Sequence, residues 1–401
     1  MDQSDIDRDS LLNGKTGASL NTDLSDDSSQ SDREGLNFIF NYADNVPQEI
    51  KDGIEKAGET WSSLISNDVT LEIDVNFEAE IGSLANASSE EIEVAYSEFR
   101  QALSDSATSE DDAIAVASLP ESETFNLLIN NTEENQGSDS VYLDDNDSLN
   151  NSNIAVNTAT AKALGLDLEE NLTDATITFN RNVNWDYDSR DGVAINAVNF
   201  ENVATHEIGH ALGFNTSLDE LDEIAGQNLK ELIASGDVEL EDIAEALEIE
   251  VEDLENLAAL FGLEDLAEID AENFEELIAG SPIEPILESI QPDLFVSEDN
   301  YIPNSMELFR YGDLSADLGV IDFTTGESDK YFSLDGGQTK IAQFSTGEYL
   351  GDGRQTSHWK DNLGIGIMDP TYDYEVGDIG SISNTDLQLL DVIGWETSHL
   401  N

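Results

Sequence analysis

The sequence predicts an α+β fold, and three observations carry that prediction. Strand-like alternation and helix-like repeats follow one another from residue 36 to about 216. A strongly acidic stretch with helical spacing then fills 217–300. Short strands and turns resume over 301–401 and close on one helix. A chain of 401 residues exceeds one typical core, so these segments are expected as separate structural units.

Residues 1–35 are rich in Ser, Asp and Asn and poor in large apolar side chains. That composition predicts a disordered acidic arm or a removable pro-segment. Order is expected from Leu36-Asn37-Phe38-Ile39-Phe40, an alternating strand. From about Pro47 to Ile65, Ile50, Ile54, Ala57, Trp61 and Leu64 recur at helical spacing. Val69, Leu71, Ile73, Val75 and Phe77 then fall on one face of a second strand. A helix is expected from roughly Ser88 to Leu103. A long polar loop should follow over 131–153, including Asp144-Asp145-Asn146-Asp147. Ala175 to Phe179 reads as a further strand, shortly before the central motif.

Residues 205–214 read Thr-His-Glu-Ile-Gly-His-Ala-Leu-Gly-Phe, which contains His-Glu-x-x-His. On a helix of ~3.6 residues per turn, His206 and His210 project from one face and can grip one metal ion. Glu207 lies beside the first of them. Zinc lowers the pKa of its water to roughly 7, within reach of a neighbouring carboxylate base. Val203, Ile208, Ala211 and Leu212 give the helix an apolar side, and Gly213 allows a sharp exit. A five-residue match can arise by chance, but only four histidines exist (206, 210, 358 and 399) and two lie in the motif.

A catalytic zinc usually takes three protein ligands plus water. In the pattern His-Glu-x-x-His-x-x-Gly-x-x-His the third would fall at 216, which here is Thr216, a poor ligand. Two candidates stand: Asp219, the nearest downstream carboxylate, and His358 within Ser357-His358-Trp359-Lys360-Asp361.

Between them, Leu229 to Ile233, Ile243 to Leu247 and Leu254 to Ala258 are expected as short amphipathic helices with acidic outer faces. They suggest a degenerate repeat. From Met306 the chain returns to strands and turns. Lys330 to Leu334, Asp335-Gly336-Gly337 and Lys340 to Phe344 read as a hairpin. Thr385 to Ile393 should be the last helix, with Leu387, Leu390 and Ile393 inward and Trp395 packing its end onto the core.

The motif followed by Gly213-Phe214, the long insertion, a distant His before Trp, and Gly366-Ile367-Met368-Asp369-Pro370 together resemble the leishmanolysin-type metzincins. The likeness is closer to their cysteine-free prokaryotic relatives, which carry Ser-His-Trp-Lys-Asp, Met-Asp-Pro-Thr and Asp-Val-Ile-Gly-Trp. It covers most of 36–215 and 301–401. The resemblance implies a zincin fold with a mixed sheet, an active-site helix and a C-terminal Met-turn. It implies zinc on His206, His210 and His358, Glu207 as general base, and Met368 in the turn beneath the metal. In such folds the strand before the motif helix borders the cleft, so Ala175 to Phe179 is expected either to pair with substrate or to be a plain core strand. Tyr372 and Tyr374 follow the turn, and they read either as ordinary surface or core tyrosines or as donors to the oxyanion of a tetrahedral intermediate. Leishmanolysin is disulfide-rich whereas this chain has no cysteine, so the metal-site layout is what transfers.

Charge sets the surroundings. With 88 acidic against 15 basic residues, the net charge of −73 disfavours nucleic acid and anionic membranes as partners. Asp186-x-Asp188-x-x-Asp191-Gly192 resembles half a calcium loop, or else a polar turn leading to the motif helix. No run of ~20 apolar residues is present, and the first residues show no signal peptide. A soluble, monomeric, extracellular zinc endopeptidase acting on protein or peptide is the expectation, with the location resting on the resemblance. Two alternatives are a zinc-stabilised surface or adhesion protein without catalysis and a zinc hydrolase of a non-peptide amide.

Overall fold

The computed structural model describes residues 35–79, 81–135, 137–168, 172–226, 297–374 and 377–398. Nearly all of the expected N-terminal arm, the short acidic helices expected between Leu229 and Ala258, and His399 lie outside the described residues.

A four-stranded mixed sheet organises the N-terminal half, in the order Asn37–Tyr42, Thr70–Glu78, Ala175–Asn180, Ala85–Ser89. The first three run parallel and the fourth antiparallel. Parallel neighbours need a crossover, and the helix Gln48–Ser62 supplies it between the first two strands. The expected periodicities hold: Leu71, Ile73, Val75 and Phe77 are buried from the strand, and Ile50, Ile54, Ala57 and Trp61 from the helix.

Two expectations fail here. The stretch from Ser88 is not one helix: Ala85–Ser89 and Glu91–Ala95 are strands, and the helix is Tyr96–Ser106. Glu91-Ile92-Glu93-Val94 alternates with period two, and pairing with Asn153–Asn157 outweighs the helix-start signal of Ser88-Ser89-Glu90. The segment 131–153 is not a plain loop either. It contains the strand Tyr142–Asp144, paired with Leu127–Ile129, and the short helix Leu149–Ser152. Its amides stay inside by finding partners, as when buried Asn150 donates to Asp144 at 2.9 Å.

The C-terminal half is woven into the same hydrophobic core. Ile321–Phe323 pairs in parallel with Leu127–Ile129, and Ile65 bridges Thr397. The expected hairpin is present as Lys330–Phe332 against Ala342–Phe344, extended on its other side by Arg310–Tyr311. The last helix is Asn384–Val392, with Leu387, Leu390, Ile393 and Trp395 buried as expected. Among the described residues no helix is long and apolar enough to cross a membrane.

Candidate metal centre

The motif forms the helix Phe200–Ala211, and side chains from distant parts of the chain hold both of its ends. At the start, Asn199 caps the backbone N–H of Asn202 through its side chain. At the far end the last carbonyls have no partner within the helix. Asn157 donates to Ala211 O at 3.0 Å, while Thr160 and Trp395 donate to Leu212 O at 3.2 and 2.7 Å. Trp61 donates to Thr205 O at 2.9 Å from the crossover helix. Gly213, at φ +127°, then turns the chain away, as its position predicts.

His206 and His210 face the same point, and His358 joins them from the C-terminal half. Among the described residues this trio is the one group of His, Asp and Glu side chains able to share a metal ion. The tautomers follow from their other contacts. His206 Nδ1 lies 2.7 Å from Ile367 O, and His210 Nδ1 lies 2.6 Å from Phe214 O. A carbonyl can only accept, so Nδ1 carries the proton and Nε2 presents a bare lone pair. Nε2 of His206 is 3.1 Å from that of His210 and 3.3 Å from that of His358. Such lone pairs repel one another unless a cation lies among them. Tetrahedral ligands at about 2.0–2.1 Å from zinc stand roughly 3.3 Å apart, so the donor set fits that ion.

Burial keeps the imidazoles neutral. Desolvation lowers the pKa of His210 to about 4 and, helped by the nearby His210, that of His206 to about 3. His358 is pushed down by the same causes. Neutral imidazole is the form a metal requires.

The turn carrying Met368 packs beneath the helix. A Cβ on Gly209 would overlap the Met368 sulfur, so glycine between the two histidines is what lets the turn approach. One buried carboxylate ties this turn to its surroundings: Asp386 accepts from Trp359 Nε1, Ile367 N and Ser383 N at 2.8, 3.0 and 2.7 Å. Asp386 escaped the sequence reading. Ser383-x-x-Asp386 is visible as a helix-start signal, but its reach to Trp359 and Ile367 is not.

A cavity of about 330 Å³ opens beside the trio, lined in part by Glu207, Asn215, Tyr349 and the strand Ala85–Ser89. Of the two readings of Ala175 to Phe179, the structure selects the plain core strand. Ala175–Asn180 is paired on both sides and lies inside the sheet, whereas Ala85–Ser89 is the sheet's edge.

The tyrosines do not reach the site. The Tyr372 hydroxyl accepts from Asn199 N at 2.9 Å and donates to Gly377 O at 2.6 Å, so it secures the start of the motif helix. Tyr374 is exposed, and neither tyrosine lines the cavity. Asp186, Asp188 and Asp191 do not converge as a calcium site would require. Asp186 accepts from the N–H groups of Asp188 and Ala194, and Arg190 donates through Nε and Nη2 to the two carboxylate oxygens of Asp188, holding the Asp188 pKa low. Asp219 is turned toward Thr356 and Ser357, outside the metal-capable trio.

The family model described as Matrixin matches residues 36–241, a span that includes His206, Glu207 and His210 and ends before His358. No curated protein and no solved structure matches the chain.

Proposed function

The chain belongs to the matrixin family of zinc metalloproteases, and on that premise we propose an endopeptidase whose zinc is held by His206, His210 and His358. One observation carries the ligand assignment: three Nε2 atoms converge, with separations of 3.1 and 3.3 Å from His206, and carbonyls hold the tautomers of the two motif histidines. Zinc bound there supplies a Lewis acid for the scissile carbonyl and for water.

Glu207 is the general base of this scheme. It is buried, follows His206 on the helix and faces the same cavity. It takes a proton from the attacking water and passes it to the leaving amine. The edge strand Ala85–Ser89 lines the cavity and offers unpaired backbone groups to an extended peptide. Main-chain bonds would hold the substrate there while the cavity receives a side chain. A third ligand from beyond residue 300, with Met368 below, is the part of this layout that resembles the leishmanolysin type.

Glu207→Gln tests the scheme. It should keep one zinc per chain and lose casein cleavage by roughly 10²–10⁴-fold, the usual weight of a general base. Wild-type cleavage should stop with a chelator and return with zinc. A Glu207→Gln protein that cleaves casein at the wild-type rate sinks the mechanism.

A further inference from the structure

His358 reaches the centre from the far side of a long insertion, so something must bring its loop to the motif helix. The helix Leu218–Gly226, which follows the motif closely in sequence, provides the grip. Asp219 Oδ1 accepts from Thr356 N at 2.5 Å and Thr356 Oγ1 at 2.9 Å. Its Oδ2 accepts from Ser357 Oγ at 3.0 Å. Asp222, on the same face one turn later, accepts from Tyr349 N and Leu350 N at 2.8 and 3.1 Å. Two carboxylates of one helix therefore clasp the segment that ends in His358.

The Asp219 contact also has a direction. A serine hydroxyl carries one proton, and an ionised carboxylate can only accept it. With that proton given to Asp219, Ser357 Oγ turns a lone pair toward His358 Nδ1, 3.4 Å away. Nδ1–H on His358 leaves its Nε2 lone pair at the shared point, 3.3 Å from His206 Nε2.

We propose that Asp219 is a positioning residue that sets both the place and the tautomer of His358 through Thr356 and Ser357. The proposal rests on reading His358 as the third zinc ligand. Groups that orient a metal-bound histidine typically change metal affinity by 10–100-fold when removed. Asp219→Asn keeps the size but can present an N–H₂ to Ser357. The hydroxyl would then donate to His358 and move the lone pair to Nδ1, away from the metal.

The test is zinc affinity by chelator competition in the full chain, together with the visible spectrum of the cobalt-substituted protein. Asp219→Asn and Ser357→Ala should each weaken zinc by about 10–100-fold and shift the cobalt bands. The double variant should lose little more than either single one, because both break one relay. Wild-type zinc affinity in Asp219→Asn, or losses that simply add, would overturn the proposal. Should Asp219→Asn fail to fold, Ser357→Ala alone decides: wild-type affinity and cobalt bands overturn the relay, and weakened zinc with shifted bands supports it. His358→Ala separates the two levels. If it binds zinc as tightly as wild type, the ligand reading itself fails; if it loses zinc while Asp219→Asn does not, only the positioning role fails.

Discussion

Two segments bring the three histidines together, and they are held by different means. Residues 199–214 deliver His206 and His210 from one helix, where the spacing of four places both rings on one face. Its own Asn199 caps the start of that helix, and outside contacts from Asn157, Thr160 and Trp395 brace its far end. Residues 345–369 have no comparable regular structure around His358. Carboxylates from elsewhere hold this segment: Asp219 on Thr356 and Ser357, Asp222 further upstream, Asp386 on Trp359 and Ile367. A ligand on a helix inherits its direction from backbone periodicity. A ligand in a loop needs a side-chain partner for each backbone group it would otherwise strand in the interior.

That contrast can be broken most severely at Asp386. Asp386→Ala leaves two buried N–H donors, those of Trp359 and Ile367, without an acceptor, each costing about 1–3 kcal/mol, and also strips the half-buried N–H of Ser383. A loss of roughly 3 kcal/mol or more is expected by urea denaturation of the zinc-free protein. A loss below about 1 kcal/mol would mean that the loop does not depend on its carboxylate.

Gly209→Ala attacks the place where the two segments touch. Its methyl overlaps the Met368 sulfur and approaches Trp61 at 3.5 Å. Overpacking of this kind costs about 1–3 kcal/mol, against under 1 kcal/mol gained in helix propensity. The measured melting temperature should fall, and a rise would show that the turn yields freely.

Asn199→Ala removes only the cap of the motif helix, worth about 1 kcal/mol. Bound zinc should be unchanged at neutral pH, because the two ligands lie more than a turn inside the helix. Zinc loss here as large as in His358→Ala would erase the distinction between the segments.

The smallest expected effect concerns acid. Burial holds His210 near about 4 and His206 near about 3, below the ordinary 6.5. Protons therefore compete with zinc at these two rings only as the pH falls toward those lower values. Burial raises Asp219 to about 6, so the check is made in Ser357→Ala, where Asp219 no longer reaches His358. There the zinc dissociation constant should stay level from about pH 7 to 5. A tenfold weakening per pH unit beginning at about 6.5 would mean that the rings are solvated.

Local chemistry made much of this readable in advance. The sheet strands, the crossover helix, the closing helix and the motif pair rest on periodicities of two and 3.6, which any stretch of sequence displays by itself. Where two local signals competed, as at Ser88 to Ala95, the pairing partner Asn153–Asn157 decided, and it lies too far along the chain to be read. For the tyrosines after the turn, the surface or core reading holds over the oxyanion one for a related reason. Proximity in sequence to Met368 suggested the site, but Tyr372 is directed to Asn199 and Gly377.

By itself, then, the sequence determined an α+β chain with two histidines and a glutamate on one helical face, because helix geometry is local. It also put His358 forward as a third ligand, through resemblance to the leishmanolysin type. Only the tertiary structure decided how His358 meets the other two, which strand forms the open edge, and what Asp219 holds. Those outcomes depend on hydrogen bonds between residues more than a hundred positions apart in the chain, such as Asp219 with Ser357 and Trp395 with Leu212. Buried polar groups must find partners, but which partner they find is settled only when the whole core closes.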